Sequence, residues 1–230
     1  MNDEIMDDAL LHGVNELVTG RIAAFWVFPG GDCVPLGGEH RSERGASLEP
    51  EPLSGGRAPA AFRRPSGLLS GSFNPRHHGH GLLRDAAERR LGQPVGYELA
   101  VVNAEKPPLE LPDVLRRARQ FDDQPVVLTR AATFVEKAAL LPETTFVVGI
   151  DTAARIVNTR FYGGSTREMH QALATIGEAG CRFLVAGRWI AGRFQTLSEI
   201  GLPARHARLF DELTAAEFRC DISSSELRGD

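Results

Sequence analysis

Cysteine is scarce in this chain of 230 residues, and its spacing excludes two classes at once. Cys33, Cys181 and Cys220 are an odd set with no CxxC pair, which fits neither a disulfide framework nor a zinc ribbon and reads as reduced thiols. Long apolar runs are missing too. No stretch approaches the ~20 residues that cross a bilayer, and the opening Met-Asn-Asp-Glu-Ile-Met-Asp-Asp is acidic where a signal peptide is basic and then apolar. Nor is there an excess of charge. The 26 Lys and Arg against 30 Asp and Glu leave a net −4, so general nucleic-acid binding has no electrostatic support and any phosphate recognition must be local. No internal repeat is visible. The expectation is a cytoplasmic protein with small-molecule partners, neither membrane nor nucleic acid among them, and with a homo-oligomer allowed.

What is present is ordinary for a soluble fold: 42% hydrophobic and 24% charged residues, enough for one medium α/β domain with an extension. Apolar positions at helical spacing over residues 5–19 predict a short amphipathic helix. The runs 21–28 and 33–36 flank Gly30-Gly31 and predict a β-hairpin, an accessory element packed on the core. Residues 37–65, rich in Gly, Pro, Ser, Glu and Arg, cannot bury apolar area and read as a linker. From 66 to 230 strand and helix patterns alternate. Short Val/Leu/Phe runs at 68–70, 97–103, 125–129, 145–150 and 182–186 are separated by helical stretches at 78–91, 113–121, 134–141 and 166–179, with a further hairpin at 189–196. That alternation predicts a parallel, doubly wound α/β sheet.

The stretch 68–84 organises the rest. Leu68 and Leu69 lead into Gly71-Ser72-Phe73-Asn74-Pro75, then His77-His78-Gly79-His80, then a helix-like run. Strand, Gly-rich turn and helix in that order put the turn at the carboxyl end of a parallel strand, where ligands bind. Gly71 would let the backbone approach a phosphate, and His77 and His80, three apart, would project on one side of the helix's first turn. Two imidazoles beside a helix N-terminus suit a phosphoryl group that gains negative charge.

These residues resemble the GSFNPxHxGH motif of the HxGH nucleotidyltransferase superfamily, and Ile222-Ser223-Ser224-Ser225-Glu226-Leu227-Arg228 is similar to its ISSTxIR motif, with Ser225 in place of threonine. The resemblance covers about Leu68 to Arg228. It implies a Rossmann-like fold and transfer of a nucleotidyl group from a nucleoside triphosphate to a phosphorylated acceptor, with release of pyrophosphate. His77 and His80 would hold the α-phosphate and stabilise its charge. Ser72, Phe73 (through its backbone), Asn74 and Gly79 would line the triphosphate and sugar region. Ser223, Ser224 and Ser225 would meet the β- and γ-phosphates, and Arg228 the leaving pyrophosphate.

Val148-Gly149-Ile150-Asp151-Thr152, with Arg155 and Arg160-Phe161-Tyr162-Gly163-Gly164, looks like the corresponding stretch of the nicotinamide mononucleotide adenylyltransferase branch, where the Gly and Asp contact adenosine. The same Asp151 also reads as a plain helix N-cap after a strand. That branch implies ATP, nicotinamide or nicotinate mononucleotide as acceptor, and Mg²⁺ bridged by the substrate, with no protein metal ligands. Arg188 would meet the triphosphate. Lys106, Arg130, Thr133, Phe134 and Arg155 are weaker candidates for the acceptor. Two rival readings stand beside this one: the same chemistry on phosphopantetheine or, from CTP, on an alcohol phosphate; and a nucleotide-binding module without turnover.

Overall fold

The structure, a computed structural model, describes residues 2–36, 62–103, 107–190 and 193–219. Its elements in chain order are α1 (Asn2–Val18), β1 (Ala24–Val27), β2 (Cys33–Pro35), β3 (Gly67–Gly71), α2 (His78–Leu91), β4 (Val95–Ala100), α3 (Leu111–Ala118) and β5 (Val126–Thr129). There follow α4 (Phe134–Leu140), β6 (Thr145–Gly149), α5 (Ile150–Ile156), α6 (Thr166–Glu178), β7 (Arg182–Ala186), β8 (Arg188–Ile190), β9 (Arg193–Gln195) and β10 (Phe210–Leu213). The chain is α/β, with mostly parallel strands flanked by helices in a Rossmann-like, doubly wound arrangement, as the alternation of patterns predicts.

Two compact units divide these elements. One comprises Pro65–Gly96 and Thr133–Asp230, and in it β3 pairs with β6, β6 with β7, and β7 with β10, all in parallel. The continuous apolar runs Phe146-Val147-Val148 and Phe183-Leu184-Val185 are fully buried, because parallel strands are covered on both faces. Aromatic packing ties the layers together. Phe134 of α4 stands edge-on to Phe146 and Phe183, at 5.3 and 5.1 Å, and Phe183 stacks on Phe210 at 5.0 Å. Register matters most for the site. Leu69 lies opposite Val147, Val147 opposite Leu184, and Gly149 opposite Ala186, so the carboxyl ends of β3, β6 and β7 come out level at one edge.

The other unit comprises Met1–Arg64 and Tyr97–Ala132. Here β4 and β5 are parallel, β1 runs antiparallel to β5, and β2 antiparallel to β1. Within this unit β1 is hydrogen-bonded on both sides, to β2 and β5, and all four of its residues are buried. The chain passes from one unit to the other three times, after Arg64, after Gly96 (within β4) and after Ala132. Of the predicted 37–65 linker, residues 37–61 lie outside the described ones. Among the described residues no helix is long and apolar enough to cross a membrane.

Candidate functional site

The site is built where β3 ends. Phe73 adopts a φ of 42°, a left-handed conformation that costs a non-glycine residue about 1–3 kcal/mol. Its ring is almost fully buried, a gain of about 1.5–3 kcal/mol that is large enough to hold the strained turn. The ring folds back over Gly71, where an added Cβ would lie 2.9 Å from Phe73 Cζ, and stands edge-on to His80 at 5.0 Å. Gly71 is thus required for the packing of Phe73, whatever it also does for a ligand. Phe73 acts as a wedge that braces His80.

His77 is the N-cap of α2, in extended backbone (φ −140°, ψ 170°). Its backbone N–H donates to Nδ1 of His80 at 3.1 Å, and its carbonyl accepts from the His80 N–H at 2.9 Å. The first bond is one half of a capping box, with an imidazole in the place of the usual Glu or Gln, and the second is a backbone turn bond. The bond fixes a tautomer. A nitrogen that accepts carries no proton, so neutral His80 keeps its proton on Nε2, as a donor. Burial first, then the positive neighbours His77 and Arg76, push the His80 pKa down to about 4. Burial, then His78, also lowers that of His77. The two rings lie 3.9 Å apart between centres, and Nδ1 of His77 is buried with no hydrogen-bond partner. At neutral pH the turn therefore presents neutral imidazoles at the positive dipole end of a 14-residue helix.

At the same sheet edge, Gly149 is the N-cap of α5, and Asp151 falls in that helix's first turn instead of capping it. Arg188, the first residue after the β7–Gly187 corner, donates through Nη1 to Asp151 Oδ2 at 2.6 Å, both side chains being about half exposed. Gly187 makes that corner feasible, since a Cβ there would lie 2.6 Å from the Phe194 ring and 2.7 Å from the Gln195 carbonyl oxygen. Beside the ion pair opens a cleft of about 480 Å³, lined on one side by Ile150, Asp151, Ala154, Val157, Asn158 and Thr159 and on the other by Gln195, Glu199, Ile200 and Gly201. Among the described residues its lining carries two carboxylates and two carboxamides, and both carboxylates are already paired with arginines, Asp151 with Arg188 and Glu199 with Arg193 at 3.5 Å, which leaves the carboxamides to hydrogen-bond an uncharged part of a ligand.

No protein-family model matches this chain, and no curated protein does either.

The remaining predicted residues are distributed as follows. Gly79 is buried in the first turn of α2, Ser72 is exposed and Asn74 half-buried in the turn itself. Arg155 is exposed in the last turn of α5. Thr133 is the N-cap of α4, its N–H and Oγ1 both donating to Glu136 Oε2 at 2.8 and 3.0 Å, and Phe134 packs into the aromatic layer with Lys137 Nζ 4.7 Å above its ring. Arg130 donates through Nη1 to the carbonyls of Val18 and Leu17, at 2.6 and 3.4 Å, and so closes the C-terminus of α1. Lys106, Ser223, Ser224, Ser225 and Arg228 lie outside the described residues. The reading of the sequence missed the polar lining of the cleft, Asn158, Thr159, Gln195 and Glu199. Its one local signal was Asn158, which caps the 3-10 turn Thr159–Tyr162.

Proposed function

We propose that this chain is a nucleotidyltransferase that moves AMP from ATP to a phosphorylated acceptor, nicotinamide or nicotinate mononucleotide, and releases pyrophosphate. The observation that carries the reading is the imidazole pair at the head of α2, with His80 held neutral and its proton directed to Nε2. An ionised acceptor phosphate attacks the α-phosphorus in line, the bond to the β-phosphate oxygen breaks, and pyrophosphate leaves. No proton has to be removed to make the nucleophile, so positioning and electrostatics dominate. His80 Nε2–H donates to a non-bridging oxygen as charge grows there, and the α2 amides act from the same side. His77, with a buried unpartnered Nδ1, is the second imidazole of that cradle. Arg188 can exchange Asp151 for a triphosphate, since a half-exposed ion pair is worth only about 0–1 kcal/mol. The nucleoside end is then left to the cleft that bears the Asn158 and Gln195 carboxamides.

Mg²⁺ would supply neutralisation of the triphosphate charge. The residues described at this edge fit an ion carried in by the nucleotide: neutral imidazoles are poor ligands for it, and the Asp151 carboxylate faces Arg188. The test is pyrophosphate release by the purified chain with Mg²⁺ and ATP or CTP, against a panel of phosphorylated acceptors. Release with ATP and a pyridine mononucleotide, lost in His77→Ala, is the expected result. Release with another acceptor would keep the chemistry and replace the substrate. Nucleotide binding with no release on any acceptor would leave a binding module.

A further inference from the structure

A second imidazole pair is not used by the chemistry proposed above. His170 lies on α6 and His206 in the 3-10 segment Ala204–Leu209, with ring centres 5.2 Å apart and planes tilted by 33°. Each ring carries one buried nitrogen with no hydrogen-bond partner, Nδ1 of His170 and Nε2 of His206. Buried ring nitrogens left with nothing to bond are disfavoured, and an unplaced ion or water is a standard way to satisfy them. Both unpartnered nitrogens belong to rings whose centres are 5.2 Å apart. Two imidazoles on a tetrahedral Zn²⁺, at about 2.0–2.1 Å per nitrogen, put their ring centres roughly 5 Å apart, the spacing seen here.

We propose that His170 and His206 form a two-imidazole site for a borderline divalent transition cation of the zinc type, with water filling the other coordination positions. Neutral imidazole nitrogen suits Zn²⁺, Ni²⁺ or Cu²⁺ and not the oxygen-seeking Mg²⁺ that accompanies a nucleotide. Among the described residues no group of three His, Cys, Asp or Glu side chains is placed to hold a metal. The coordination is therefore open. With Arg205 and Arg208 opposing a dication, it is also weaker than that of closed structural zinc sites.

The experiment is calorimetric titration of the metal-free full chain with Zn²⁺, repeated in excess Mg²⁺. Wild type is expected to bind one Zn²⁺ at this pair, with Mg²⁺ failing to compete. His170→Ala and His206→Ala should each weaken that binding at least tenfold, and the double variant His77→Ala/His80→Ala should retain it. His206→Gln keeps a polar side chain of similar size and must also lose the metal, which covers the case in which the alanine variants fail to fold. No Zn²⁺ uptake by wild type would overturn the proposal. So would uptake unchanged by His170→Ala and His206→Gln, or abolished by His77→Ala/His80→Ala.

Discussion

Replacing Gly71 by alanine tests the wedge directly. The new Cβ would sit 2.9 Å from Phe73 Cζ, 3.0 Å from Cε1 and 3.2 Å from Cε2. These atoms belong to a ring that is almost wholly buried and is itself packed on His80, so it cannot swing aside into solvent. Overpacking of this kind costs about 1–3 kcal/mol. For a chain of this size each kcal/mol lowers Tm by roughly 2–4 °C. The companion variant is Phe73→Leu, which removes the clashing ring edge. Contacting residues couple by about 0.5–3 kcal/mol, so Gly71→Ala should cost measurably less in the Phe73→Leu background than in the wild type. The assay is urea unfolding of the four proteins of the cycle, read by far-UV circular dichroism. Equal cost in both backgrounds, or a Gly71→Ala protein as stable as wild type, would refute the packing argument. The glycine would then serve only the close approach of a ligand.

Other outcomes follow from the same geometry. The folded-state pKa of His80, about 4, lies below its unfolded value near 6.5, so the unfolded chain binds more protons between those two values. The histidine contribution to stability is thus complete above about pH 6.5 and is lost as the pH falls through about 4; unfolding midpoints should decline on acidification through that window, and less so in His80→Gln. Asp151→Asn removes a half-exposed ion pair and should change stability by no more than about 1 kcal/mol, while nucleotide affinity responds; a large drop in Tm with unchanged affinity would show a structural pair instead. Arg130→Ala should lower Tm by uncapping α1, and a rise in acceptor KM without any loss of Tm would return Arg130 to the acceptor site.

The strands were legible because buried parallel strands are short continuous apolar runs, and Phe146-Val147-Val148 and Phe183-Leu184-Val185 are of that kind. The head of α2 was legible as a turn, a glycine and two histidines in a fixed order. What could not be read is instructive. Asp211-Glu212 inside β10 are poor strand formers, and their place in the sheet comes from pairing with β7, a long-range contact with no local signal. Ile150–Ile156 is only seven residues long, too short for its apolar spacing to stand out from a turn. The membership of β1 in a unit with β5 depends on residues about a hundred positions apart pairing in register, Ala24 with Thr129 and Phe25 with Leu128. The His80 tautomer likewise needed the observed bond to the His77 N–H, since the spacing alone is silent about which nitrogen accepts.

Donation by a neutral His80 to the reacting α-phosphate, as proposed, is tested most directly by kcat for transfer of label from the α-phosphate of ATP to the acceptor, in wild type and His80→Ala, from pH 6 to pH 8. Loss of one such donor should lower kcat by about 10²–10³, with a wild-type profile that stays flat through the ordinary imidazole range because the donating form is the neutral one. A His80→Ala variant with undiminished kcat, or a wild-type rate that falls as pH rises through the range near 6.5 where free imidazole titrates, would contradict the account.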